Sequence, residues 1–321
     1  MDSYLETAAR AVQARSRIRS HIYQTPLVPS RIAKNAATNG KVLFKLENFQ
    51  TTGSFKLRGA MSKLSIHPDH GRLITASSGN HGIGAAYASQ VLSKDLTIVL
   101  PETVVLEKLN KIQSYGVDVV LHGSETGLAE QHAQQLAKSE GYTYISPYND
   151  PDIIAGQGTI GLEILEQCDQ VDRIFISMGG GGLISGIGAV MKAFSPRTKI
   201  YGVAATNSKA LAESIAAGRV VETEHRDTLA DAVAGGIDAD SITLPLATSV
   251  VDHIVECDEE EIRAALREFA FSGNLIVEGA AALALAGFRK TAHTLGEGTS
   301  VIVVCGGNFN RDVISNAILG N

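Results

Sequence analysis

Four short segments carry the groups from which a chemical site could be built: 51–60 (TTGSFKLRGA), 77–82 (SSGNHG), 177–186 (SMGGGGLISG) and 305–308 (CGGN). Each lies where a short apolar run gives way to a loop or a helix-like pattern, and in α/β sheets ligands gather beyond the carboxyl ends of strands. Lys56 stands at the start of a helix predicted over 57–64. There the helix dipole opposes its charge and helps to lower its pKa, as an amine that attacks a carbonyl carbon requires. Ser77, Ser78, Gly79, Asn80 and His81 offer two hydroxyls, an amide and a bundle of backbone N–H groups, a loop suited to gripping a substrate carboxylate. As a helix N-cap, a single Ser would suffice. His81 on its own reads as a satisfied structural histidine. Gly179, Gly180, Gly181 and Gly182 remove every Cβ that would hold a ligand away from a helix start, which predicts a phosphate cradle.

A glycine-rich strand-to-helix junction also serves dinucleotides, so an NAD-binding oxidoreductase is the distant alternative. That fingerprint needs an acid roughly 20 residues on, at the end of the second strand, to hold the ribose hydroxyls. Here the predicted strand 199–203 runs into Ala204, Ala205 and Thr206. A smaller phosphate ligand is the better fit.

Positioning these segments requires sheets. Short apolar, β-branched runs at 42–46, 72–75, 96–100, 118–121, 173–177, 199–203, 252–256 and 300–304 alternate with longer helix-like stretches. That alternation predicts an α/β fold of mostly parallel, open twisted sheets with flanking helices. Runs such as RIFIS and SVIVV are almost continuously apolar, as strands covered on both faces should be. The N-terminus reads as an amphipathic helix. Turn-rich stretches at 47–53 and 146–151 bracket a middle unit. The expected organisation is a large cofactor-binding domain (1–48 and 149–321) and a small mobile domain (49–148) with a cleft between them.

A formal charge of −6 without a clustered basic surface excludes a nucleic-acid footprint and a polybasic membrane anchor. No apolar run reaches a membrane span, and the N-terminus lacks the apolar core of a signal peptide, so a cytoplasmic protein is expected. Cys168, Cys257 and Cys305 lie far apart, which indicates neither a zinc site nor a disulfide framework.

GSFKLRGA, SSGNHG, AGQGT (155–159), SMGGGGL and CGGN occur in the order found in fold-type-II pyridoxal-phosphate enzymes, and the chain most resembles threonine/serine dehydratases and serine racemases. The resemblance implies a tryptophan synthase β-like fold and pyridoxal 5'-phosphate bound to Lys56 as a Schiff base. It also implies Phe55 against the cofactor ring, Asn80 on the ring hydroxyl, and Gly179 to Gly182 with Leu183 on the phosphate. Gly235 joins this cofactor set, within a segment (228–236) similar to dehydratases that include enzymes of hydroxyectoine breakdown. Cys305 stands where the family usually has a serine facing the pyridine nitrogen. A thiol keeps the ring a weak electron sink, which favours elimination, whereas a thiolate would favour the protonated ring. Glu278 matches a family glutamate near the ring and reads equally as a helix-start carboxylate.

The resemblance implies α,β-elimination of water from L-threonine, L-serine or a related β-hydroxy amino acid, with serine racemisation as the alternative. Ser78 matches the serine with which racemases exchange the α-proton. The racemases' divalent-metal acids are replaced here by Ala204 and Ala210, so no metal is expected. A homodimer without a regulatory amino-acid-binding domain completes the expectation.

Overall fold

The computed structural model describes residues 3–32, 40–68 and 71–320. From α1 (Tyr4–Ile18) the chain enters β1 (Leu27–Pro29), β2 (Lys41–Leu46), α2 (Lys56–Leu64), β3 (Leu73–Ala76) and α3 (Asn80–Leu92). It continues through β4 (Leu96–Leu100), α4 (Leu106–Gln113), β5 (Asp118–Leu121), α5 (Thr126–Glu140), β6 (Thr143–Tyr144) and α6 (Pro151–Gln167). Next come β7 (Arg173–Ser177), α7 (Gly182–Phe194), β8 (Lys199–Ala205), α8 (Ala210–Ala217) and α9 (Thr243–Val250). The chain closes with β9 (His253–Cys257), α10 (Glu259–Phe271), α11 (Gly279–Thr291), β10 (Thr299–Val304) and α12 (Arg311–Leu319).

Two sheets result. One has the order β1-β2-β10-β7-β8-β9 and is parallel except for the antiparallel edge pair β1 and β2; the other is a parallel sheet in the order β5-β4-β3-β6. All eight predicted runs are strands, shifted by at most a residue or two. The central strand β10 is buried at five successive positions because α11 covers it and side chains of α6 and α7 join it in the same core. Strands β2 and β10 run in register, Leu46 beside Val304, so the loops leaving them emerge side by side. Among the described residues, no helix is long and apolar enough to cross a membrane.

Small residues let the helices approach. A Cβ on Gly156 of α6 would lie 2.4 Å from the carbonyl oxygen of Arg58 in α2, and one on Gly59 would lie 2.3 Å from Nε2 of Gln157. The AGQGT stretch is therefore buried helix surface in α6, and it is the floor on which the helix carrying Lys56 rests.

Candidate active site

Lys56 is the first residue of α2, and the loop ahead of it is stitched to the segment after β10. Phe55 N–H donates to Cys305 O (3.1 Å), Gly307 N–H donates to Gly53 O (2.9 Å), and Ser54 bridges Gly306. Lys56 is thereby held beside Cys305 and Glu278. Burial lowers its pKa from 10.5 to about 8, with the neighbouring Cys305 and Glu278 side chains pulling the other way. Its Nζ donates to Pro147 O at 2.8 Å and lies 5.4 Å from the centroid of the Phe55 ring.

Glu278, the N-cap of α11, is 1 % exposed. Its carboxyl accepts from both sides: Asn80 Nδ2 reaches each oxygen at 3.0 Å, Asn308 N–H comes to 3.2 Å and the Cys305 thiol to 3.7 Å. Burial still raises its pKa to about 7. Asn308 also donates from its amide to Asn80 Oδ1 (2.8 Å) and to Thr52 O (2.8 Å). Asn80, Glu278, Cys305 and Asn308 thus form one cluster facing Lys56. Burial, then the neighbouring Glu278 charge, pushes the Cys305 thiol well above 9, so it remains a neutral S–H at physiological pH. Asn308 escaped the sequence assignment of site residues, although its motif was noted. The strand-terminal Gly-Gly-Asn was the available signal.

The glycine run follows β7. Gly181 has φ +90° and caps α7, and no side chain caps that helix. Backbone N–H groups from Gly179 to Leu183 have no backbone partner among the described residues, which leaves an anion-binding helix start. The missing side chains make room for protein as well as ligand. A Cβ on Gly180 would lie 2.5 Å from the Tyr148 ring, one on Gly179 2.9 Å from Val233, and one on Gly181 2.9 Å from Thr243.

In the SSGNHG loop, Ser77 Oγ accepts from Gly79 N–H at 3.2 Å, while the Ser78 hydroxyl has no hydrogen bond among the described residues. The loop does not cap its own helix by a side chain: α3 is capped by Gly79. His81 turns inward. Its Nε2 meets Thr75 Oγ1 at 3.0 Å and Ile145 O at 3.3 Å, and burial, then the nearby Lys56 charge, lowers its pKa to about 3. Its side chain is a neutral core group rather than part of a clamp. Gly235 is exposed, and its N–H is committed to Ser208 Oγ at 2.9 Å, so it offers no donor to an anion. Its loop is tied down nearby, where Tyr148 OH accepts from Asp238 N–H (2.8 Å) and Asn149 Nδ2 donates to Asp238 Oδ2 (2.9 Å). Ala204 and Ala210 are buried and carry no carboxylate.

An amine of lowered pKa, a buried polar cluster beside it and a helix start whose N–H groups no side chain caps make a donor set that fits an aldehyde-bearing, phosphorylated cofactor. Residues 18–306 match the family of pyridoxal-phosphate dependent enzymes. The chain belongs to that family, and its cofactor is pyridoxal 5'-phosphate. It is 37 % identical over 312 residues to the L-threonine dehydratase catabolic TdcB of Staphylococcus aureus, covering 95 % of this chain and 90 % of that one. Its fold matches the processed threonine deaminase isoform 2 of Solanum lycopersicum with a TM-score of 0.91 and 31 % identity, over 97 % and 92 % of the two chains. Maize serine racemase matches with a TM-score of 0.87 and 27 % identity, over 98 % and 97 %.

Proposed function

We propose that this chain eliminates water from a small β-hydroxy amino acid such as L-threonine or L-serine, giving a 2-oxo acid and ammonia. When bound, pyridoxal phosphate supplies an aldehyde that condenses with amines and a ring that withdraws electrons from the substrate α-carbon. Lys56 would hold that aldehyde and, freed when the substrate amine takes its place, would as a partly neutral amine be the base that takes the α-proton. Gly179 to Gly182 and the Leu183 amide hold the phosphate at the start of α7. Phe55, Asn80 and Glu278 flank the ring. Backbone and hydroxyl groups of Ser77, Ser78, Gly79 and Asn80 grip the substrate carboxylate. The β-hydroxyl leaves as water, and the released enamine hydrolyses to the oxo acid.

The observation that carries elimination over longer-lived carbanion chemistry is the neutral Cys305 thiol at the end of β10, a weak partner for the ring. One observation favours racemisation as a second reading: the unpartnered Ser78 hydroxyl, available to exchange a proton on the face opposite Lys56. In this reading the unit 49–148 closes over the cleft to exclude water, the chain pairs as a homodimer, and the protein works in the cytoplasm. Incubating the holoenzyme and a Lys56→Ala variant with L-threonine and L-serine tests the proposal by oxo-acid and ammonia release. Product from the variant at the wild-type rate would refute it, and chiral analysis of the remaining serine separates the two readings.

A further inference from the structure

Two residues beyond the reactive lysine, α2 leads into a second, deeper cluster of charge. Arg58 is completely buried, as are Lys45 of β2 and Glu47 just beyond it, while Glu163 of α6 is 1 % exposed. The guanidinium makes two bidentate pairs. Nε and Nη2 donate to Glu47 at 2.7 and 2.9 Å, and Nη1 and Nη2 donate to Glu163 at 2.7 and 2.8 Å. Nη1 also reaches Thr159 Oγ1 at 3.2 Å, and Lys45 Nζ meets Glu163 at 2.6 Å and Thr25 O at 2.7 Å.

We propose that Arg58 is the positioning residue for Lys56: its planar fork fixes the first turn of α2 against the end of β2 and against α6, and so sets where the reactive amine stands. α2 has no side-chain cap and no acid in its first turn, and Phe55 ahead of it bonds through its backbone to Cys305 and to Arg58 N–H. Arg58 lies one residue from the Gly59–Gln157 contact where α2 crosses α6 (Gly59 N–H to Gln157 Oε1, 3.2 Å), so the fork and the close crossing constrain the same turn from two directions.

Stability alone does not call for such a cluster, because well-packed apolar side chains replace buried ion pairs at little or no cost. What apolar packing cannot supply is direction: a carboxylate pair on two edges of a guanidinium fixes a plane as well as a distance. Two cations face two anions, so the cluster is close to neutral. Consistently, the Lys56 pKa is lowered first by burial, with Cys305 and Glu278 the opposing neighbours. The role is therefore geometric, and charge conservation without the fork should not preserve it.

The test compares wild-type holoenzyme with Arg58→Lys, which keeps the charge and loses the fork. It rests on the elimination reading, and the two can fail separately. A wild type that binds the cofactor but releases no oxo acid defeats the reading alone, while the rate of cofactor capture still reports the position of Lys56. For a folded Arg58→Lys holoenzyme, kcat with L-threonine should drop on the order of 100-fold, the loss expected from displacing a reacting group by about 1 Å. KM should stay within a few-fold, cofactor capture should slow, and the pH midpoint of that capture should not move. If Arg58→Lys lowers only the melting temperature and turns over at the wild-type rate, Arg58 is merely structural and the proposal is overturned. Should that variant not fold, Gln157→Ala loosens the same crossing without touching charge. A kcat loss with an unmoved pH midpoint supports the proposal, and a wild-type rate defeats it.

Discussion

Burial of Lys56 makes a sharp prediction about pH. An exposed lysine titrates near 10.5, and this one is lowered to about 8. Only the neutral amine attacks the cofactor aldehyde. At about pH 7.5 a group of pKa about 8 is roughly one-quarter neutral, against roughly one part in a thousand for an ordinary lysine, an advantage on the order of 200-fold. Protein stripped of its cofactor should therefore regain its visible absorbance at a rate that rises with pH and reaches half its maximum near 8. Perturbing Glu278 adds a directional check, since its negative charge favours the ammonium and opposes the shift. In Glu278→Gln the midpoint should move below the wild-type value. Stopped-flow absorbance across the pH range, with cofactor in excess, measures both. A midpoint near 10, or an upward movement in the variant, would refute the claim that desolvation tunes this amine.

Further outcomes follow from neighbouring residues. The Glu278 carboxyl titrates near 7 in the fold against an ordinary 4.5, chiefly through burial, so it favours the folded state below 4.5 and that contribution is lost as pH rises through 7. Urea titrations of the cofactor-free protein should show Glu278→Gln gaining on wild type by on the order of 3 kcal/mol between those limits, and parallel pH curves would contradict this. Gly180→Ala places a methyl 2.5 Å from the Tyr148 ring, so it should weaken cofactor binding, and adding Tyr148→Ala should recover part of that loss. Strict additivity of the two changes in cofactor titrations would count against the contact. Because the Cys305 thiol is held protonated, Cys305→Ser keeps a neutral partner and should leave kcat within a few-fold, whereas Cys305→Asp should lower it at least tenfold. Equal rates for the two variants would remove the argument from neutrality.

Much of this was legible in the sequence because its signals are local. Continuous apolar runs announced β7 and β10, and glycines at strand ends announced the loops around the site. β1 and β6 were not foreseen. One is a three-residue edge strand containing Pro29 and the other spans two residues, too short for any period to register. The polar cluster was hidden for a different reason. Asn80 and Glu278 are 198 residues apart, one after β3 of the four-stranded sheet and the other ahead of α11 beside the six-stranded sheet, so only tertiary packing brings them together. Arg58 lies in the same short segment as Lys56, and no local pattern names its partners. Its network had a signal that went unused, namely Lys45 within the apolar run VLFKL and Glu163 within IGLEIL, charges set where strand and helix patterns demand burial. The side chain of His81 faces the core because Thr75 and Ile145 supply its partners, which no loop motif could reveal.

The most direct measurement is reduction of the holoenzyme with borohydride followed by peptide mass mapping. The expected result is loss of the visible band and a reduced pyridoxyl phosphate adduct on the peptide carrying Lys56. An unmodified Lys56 with the adduct on another lysine, or no adduct on the chain, would contradict it.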